Sequence, residues 1–309
     1  MKCLYHKSDM DGWCSAAIVS KYTLNKDPKD FIGIDYDKNK IDNFPEILNA
    51  TGQDIYISDV SFNEETVEIL RILVKNNNVI WNDHHDTSIE LEKKYEDIRQ
   101  IKGYRSKEAS GALLTWRYLY TKDPLNIKTL SHIIPKAVLL VSDWDCWHFK
   151  FGDMTYYFKY YIDTDIWYTY PTSDQWRALL ITDGESSAFQ NYLNTGKVIY
   201  EYILKEYDHY RRAHAYESQI DNIRCAVVNR SCNSLIFGDL YKKYPFVATF
   251  VFNGQKFKYS LYSSTDVDCS KIAEKFGGGG HKGAAGFTSD KLVLPYVSNI
   301  DWSDNDEQD

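Results

Sequence analysis

KCLYHKSDMDG, Lys2 to Gly12, is a short apolar run that closes on one histidine, two aspartates and a glycine. An amphipathic stretch, Trp13–Tyr22, follows at once. The apolar runs Asp30–Tyr36, Asp54–Val60, Asn78–His85 and Ile98–Lys102 continue the pattern, with Glu64–Lys75 a further amphipathic segment between them. Strand-sized runs separated by helix-sized stretches predict parallel βαβ units with helices on both faces of a sheet. Helices are expected at Ser110–Tyr120 and Leu130–Ser142, whereas the Tyr- and Trp-rich Asp153–Pro171 has no clear period.

Further along, Phe189, Leu193, Ile199, Ile203, Tyr207 and Tyr210 recur at near-helical spacing, the pattern of a long amphipathic connecting helix. A second alternating region begins near Asn222. Arg224–Asn229, Phe246–Phe252, Phe257–Ser263 and Ala284–Thr288 read as strands, and Leu235–Tyr244 and Ser270–Phe276 as helices. The expected fold class is α/β: a parallel-sheet domain over 1–185, a connecting helix over 186–218, a smaller α/β domain over 219–300 and an acidic tail over 301–309. A length of 309 residues suits two domains of about 150 residues each.

Composition narrows the class. With 43% hydrophobic and 26% charged residues the chain reads as an ordinary globular protein. No apolar run reaches the ~20 residues of a membrane span, and the start lacks the apolar core of a secretory signal, so a cytoplasmic location is expected. The net charge of −8 argues against coating long nucleic acid, which takes many Lys and Arg against phosphate. It does not argue against an anionic substrate, because bound cations bring their own charge. The six cysteines form no CxxC pair and read as free thiols rather than a zinc framework.

Four patches set Asp and His at the ends of these elements: His6, Asp9 and Asp11; Asp59; Asp83, His84 and His85; and Asp143, with Asp145 two residues on. Ligands gather beyond the carboxyl ends of strands in open α/β sheets, so several of these patches are expected to converge. Carboxylate and imidazole donors suit Mn²⁺, Mg²⁺ or Fe²⁺. Two such ions clamp a phosphoryl group and activate water. His6, Asp9, Asp11, Asp59, His84 and Asp143 supply the six ligands that two ions need. Each patch alone has a plainer reading, such as an Asp-Gly turn or a helix cap. Four in one chain order favour the metal site.

That order, HxxDxDG, a strand-end Asp, DHH, then an Asp beside a Trp, resembles the DHH phosphoesterase superfamily, and its nanoRNase branch in particular. The resemblance implies two divalent ions, most readily Mn²⁺, with Mg²⁺, Fe²⁺ or Co²⁺ as alternatives. His6, Asp9 and Asp59 would hold one; Asp11, Asp59, His84 and Asp143 the other, with Asp59 bridging. Asp83 would orient the histidine pair and His85 would face the substrate phosphate. Gly277–Gly286, GGGGHKGAAG, resembles the signature of the DHH-associated substrate-binding domain. There Gly278, Gly279, Gly280 and His281 would hold substrate. Where many relatives carry Arg in the preceding strand this chain has Tyr262, and Arg230 is the cation proposed in its place.

The expected function is hydrolysis of short oligonucleotides by a metal-activated water. The alternatives are a phosphodiesterase for cyclic or linear dinucleotide messengers, a 3′-phosphoadenosine 5′-phosphate phosphatase and, from another class, a non-catalytic nucleotide-binding relative. Expected partners are short oligonucleotides or dinucleotides, with no membrane and no long duplex; a homodimer is compatible with the resemblance.

Overall fold

The computed structural model describes residues 1–35, 41–121, 134–166 and 169–302. Four strands, β1 (Lys2–His6), β2 (Phe31–Ile34), β3 (Asp54–Ser58) and β4 (Asn78–Asn82), form an all-parallel sheet in the order β2-β1-β3-β4. Their residues are almost continuously apolar because both faces are covered, as parallel sheets require. Side chains alternate between two cores. Cys3 and Tyr5 pack with the helices Met10–Thr23, Gly111–Trp116 and Lys136–Asp145. Leu4, Ile55 and Ile57 pack against the helix Val67–Asn76. Trp81, fully buried, fills the second core and satisfies its indole N–H on the Val60 carbonyl at 2.9 Å.

The expected fifth strand, Ile98–Lys102, is not one. Glu96–Arg99 is a helical turn with Glu96 and Arg99 ion-paired, and the chain then runs beside β4 through isolated bridges Ile80–Lys102 and Asp83–Arg105. Asp153–Tyr161, which shows no period in the sequence, is a helix whose Phe158 stacks on Phe189. The first residues of the expected Leu130–Ser142 helix, and most of the acidic tail, lie outside the described residues.

The chain divides into two compact units, Met1–Tyr200 and Glu201–Asp309, and the division falls inside the 28-residue helix Ser187–His214. In the second unit β5 (Tyr216–Ile220), β6 (Ile223–Val228), β7 (Phe246–Phe252), β8 (Phe257–Tyr262), β9 (Gly279–Gly280), β10 (Ala284–Ser289) and β11 (Ser298–Asn299) form a sheet ordered β11-β5-β6-β7-β8-β10-β9. Only the β6–β7 pair is parallel. β5 joins β6 through Asp221-Asn222, both left-handed (φ 53° and 64°), the two-residue hairpin for which Asp and Asn are suited. The expected helix Leu235–Tyr244 is broken at Gly238 into Ser234–Phe237 and Leu240–Lys243.

Candidate metal centre

Three of the four acidic patches converge directly past the carboxyl ends of β1, β3 and β4. His6 ends β1. Asp9 caps the helix Met10–Thr23, its Oδ1 accepting from Gly12 N at 2.9 Å, and its Oδ2 stands 2.6 Å from His6 Nδ1. Gly12 lets that helix start this close, since a Cβ would fall 1.8 Å from the His6 carbonyl oxygen. Asp59 follows β3 with φ 59°, a conformation uncommon for a residue with a side chain and concentrated at functional sites. It is 1% exposed, and neither of its oxygens meets a donor in hydrogen-bonding geometry among the described residues. His84 Nε2 lies 3.3 Å from one oxygen and His6 Nδ1 3.7 Å from the other.

The fourth patch is corrected by the structure. Asp143 does not face the cluster: Lys150 N donates to its Oδ1 at 2.8 Å, and Phe151 N (3.2 Å) and Thr155 Oγ1 (2.5 Å) donate to its Oδ2. Its carboxylate is consumed in holding the chain reversal after the helix Lys136–Asp145. Asp145, at the end of that helix, turns inward instead, with Oδ2 3.4 Å from His84 Nε2 and no hydrogen-bond donor of its own among the described residues. Asp11 is buried beside them, 4.0 Å from His84 Nε2, but both its oxygens accept amides that open the helix Gly111–Trp116: Gly111 N at 2.6 Å and Ala112 N at 3.0 Å. Asp11 therefore binds that helix to the cluster.

Three groups of donor atoms each fall within 4.8 Å of one another: His6, Asp9 and Asp59; Asp59, His84 and His85; and His84, Asp145 and Cys146. Asp59 is common to the first two and His84 to the last two. Cys146 was not singled out from the sequence; only its place directly after Asp145 could have pointed to it.

Charge explains what the geometry needs. Burial, with the charges of Asp59 and Asp145 added, drives the Asp11 carboxyl well above its usual range. Burial foremost pushes Asp145 up to about 7, His84 opposing and the charges of Asp59 and Asp9 adding. Burial works against Asp59 too, yet His6 and His84 outweigh it and hold that carboxyl below the usual range. Burial likewise disfavours charge on His6, but Asp59 and Asp9 lift it to about 10. On His84 the contacts with Asp59, Cys146 and Asp145 overcome burial and raise it well above the ordinary imidazole value. Carboxylates this crowded are tolerated only with positive charge among them. The raised histidines favour carrying part of that charge, and divalent cations would supply it in their place. The oxygen and nitrogen donors, and the two orphaned Asp59 oxygens above all, fit such ions.

His85, a member of the second donor group, is also tied to a carboxylate outside the three groups. Its Nδ1 is 2.8 Å from Asp83 Oδ1, and Asp83, fully buried, also accepts from Ser88 Oγ. Asp83 thus positions His85 alone; His84 is held by Asp59 and Asp145. Burial disfavours the His85 cation, but Asp83 more than compensates and the ring rises to about 9.

In the second unit the glycine residues line an open groove of about 540 Å³ with Lys258, Ser260 and Tyr262. Gly278 and Gly280 serve packing: a Cβ on Gly278 would fall 2.1 Å from the Gly286 carbonyl oxygen, and one on Gly280 2.6 Å from Ala285 Cα. Gly279 faces open space. His281 is exposed at the tight turn between β9 and β10, its N–H donating to Ala284 O at 2.7 Å. Arg230 lies over Tyr207 and Tyr210, and neither it nor His281 is part of the groove wall.

Among solved structures, the DHH domain of a protein assigned to a family of ribosomal proteins superposes over 92% of this chain and 81% of its own, with TM-score 0.58 and 12% identity. The chain has the DHH fold. Its fold is also similar to that of an exopolyphosphatase-related protein of Bacteroides fragilis (TM-score 0.52, 15% identity, 94% of this chain and 87% of that one). The pGpG-specific phosphodiesterase PggH of Vibrio cholerae is similar in fold as well (TM-score 0.51, 12% identity, 98% of this chain and 95% of that one). In sequence the chain is 28% identical to the uncharacterized protein R106 of Acanthamoeba polyphaga mimivirus, over 95% of this chain and 69% of that protein. No protein-family model matches it. No helix among the described residues is long and apolar enough to cross a membrane.

Proposed function

We propose that this chain is a divalent-metal-dependent phosphodiesterase acting on short oligonucleotides or dinucleotides. The observation that carries the reading is Asp59: a buried carboxylate with two orphaned oxygens, at a positive φ, between two histidine–carboxylate groups. One ion would be held by His6, Asp9 and Asp59, and a second by Asp59, His84 and Asp145, with Asp11 buried against both sets. Such ions activate water for attack at phosphorus and neutralise charge on the phosphate oxygens. Mn²⁺ is the metal we expect to support turnover best.

The chain's own residues do the rest. Asp83 fixes the Nδ1–H of His85, so Nε2 is the nitrogen left for substrate. With the ring raised to about 9, His85 is an imidazolium at neutral pH and donates to a phosphate oxygen as negative charge builds there. Asp11 locks the helix Gly111–Trp116 behind Asp59 and so fixes where that carboxylate points. In the second unit Tyr262 offers a ring to stack on a base and Gly279 an approachable backbone. The ring fits a nucleotide better than an inorganic anion.

Within this reading a linear dinucleotide has particular support from the likeness to a pGpG-specific phosphodiesterase. The deciding experiment is turnover, with Mn²⁺, of a linear dinucleotide, a five-mer, a 24-mer, a cyclic dinucleotide and pyrophosphate, beside a His84→Ala control. Rapid cleavage of the shortest linear substrates, lost in the variant, is the expected result. Turnover confined to pyrophosphate, or equal activity in the variant, would refute it.

A further inference from the structure

Among the described residues, Cys146 is the one cysteine whose sulfur shares a donor group with a histidine and a carboxylate. Cys3, Cys14, Cys225 and Cys269 are buried in the cores, and Cys232 contacts the Arg230 carbonyl. The Cys146 Sγ lies within 4.8 Å of the facing donor atoms of His84 and Asp145. Its position is set by the backbone. Cys146 N donates to Ser142 O at 3.0 Å to close the helix Lys136–Asp145. The chain then reverses through Trp147 and Phe149, both left-handed (φ 54° and 49°), a costly arrangement held by the Asp143 carboxylate. Two buried oxygens without donors among the described residues, Asp59 Oδ1 and Asp145 Oδ2, also bound this side of the cluster, each within 3.4 Å of His84 Nε2.

We propose that Cys146 is a ligand of the ion held by His84 and Asp145, which makes the two metal positions chemically unlike. This rests on the metal-centre reading above. The position at His6, Asp9 and Asp59 offers only hard oxygen and imidazole donors, which suit Mn²⁺ or Mg²⁺. The position at His84, Asp145 and Cys146 adds a soft thiolate, which selects Zn²⁺, Fe²⁺ or Co²⁺. Binding replaces the thiol proton: the S–H bond is broken, the sulfur keeps the electron pair and donates it to the cation, and the proton leaves to solvent. No change of oxidation state is involved. The centre is then suited to one hard and one borderline ion rather than two Mn²⁺.

The test is cobalt absorption spectroscopy on the metal-free full chain. Titration with Co²⁺ is expected to give weak visible ligand-field bands together with an intense near-ultraviolet thiolate-to-cobalt charge-transfer band. Cys146→Ser should abolish the charge-transfer band and keep the ligand-field bands, the latter showing that the variant is folded and still binds. In the same variant the preference for Zn²⁺ over Mn²⁺, measured by competition, should fall about tenfold or more, no less than the loss typical of an outer-sphere partner. Ligand-field bands without charge transfer in the wild type, or charge transfer surviving in Cys146→Ser, would overturn the thiolate ligand and leave the metal centre standing. Failure to take up cobalt at all would overturn both.

Discussion

The two units carry their chemistry in opposite ways. The first relies on side chains: buried carboxylates and histidines brought together at the ends of parallel strands and kept there at an electrostatic cost. The second relies on backbone, with glycines framing an open groove that holds no crowded charge. In the first unit a residue can fail in function and still pack, because what it lacks is a cation. In the second, most glycines are already used by the fold. Substitutions should therefore separate activity from stability cleanly in one unit and poorly in the other.

The sharpest comparison within the first unit sets Asp145 against Asp143. Asp145→Asn should cut turnover by at least about 10²–10³-fold, the range seen when one stabilising group is lost from a transition state, with little change in melting temperature. Asp143→Asn should do the reverse. Weakening a carboxylate that accepts two amides and a hydroxyl should cost about 1–3 kcal/mol. In a unit of this size that lowers the melting temperature by roughly 2–4 °C per kcal/mol. Paired kinetics and calorimetry decide it; equal loss of activity with no loss of stability in Asp143→Asn would mean that Asp143 is the ligand after all.

A smaller effect should follow from Asp83→Asn. His85 owes its rise to about 9 to the Asp83 charge, which exceeds the opposing effect of burial. Activity that needs the imidazolium is present below that value and lost as pH climbs through it. Removing the charge should shift the alkaline limb of the rate profile downward by about 1–2 pH units, a typical effect of one adjacent opposite charge. An unmoved limb, at any rate level, would take His85 out of the protonated role.

The mildest effects belong to the groove. Gly278→Ala collides with the Gly286 carbonyl and should destabilise the second unit, whereas Gly279→Ala meets open space and should keep the melting temperature within about 2 °C. If substrate rests on this loop, Gly279→Ala raises KM a few-fold with kcat nearly constant. An unchanged KM would remove the loop from substrate binding and leave it a packing element.

Much of this was legible in the sequence because parallel strands bury both faces and write themselves as short apolar runs. An acid or histidine directly after such a run is then conspicuous, which is how His6, Asp59 and His84 stand out. Asp145 could not be separated from Asp143 that way. Both end one helix, and the choice depends on a reversal through left-handed Trp147 and Phe149 that no periodicity announces. The surroundings of Arg230 were no more legible: its place after β6 suggested a cation for substrate, and nothing in the sequence told that Tyr207 and Tyr210, on the helix Ser187–His214, lie beneath it. The split among Gly278, Gly279 and Gly280 depends on which strand lies opposite, which a run of identical letters does not tell.

The measurement closest to the central claim is divalent metal bound per chain at saturation, determined by equilibrium dialysis and elemental analysis for the wild type and for Asp59→Asn. The account expects two equivalents in the wild type and a loss of at least one in the variant, whose secondary structure should be unchanged. Two wild-type equivalents retained in full by Asp59→Asn, or no stoichiometric metal in the wild type, would contradict it.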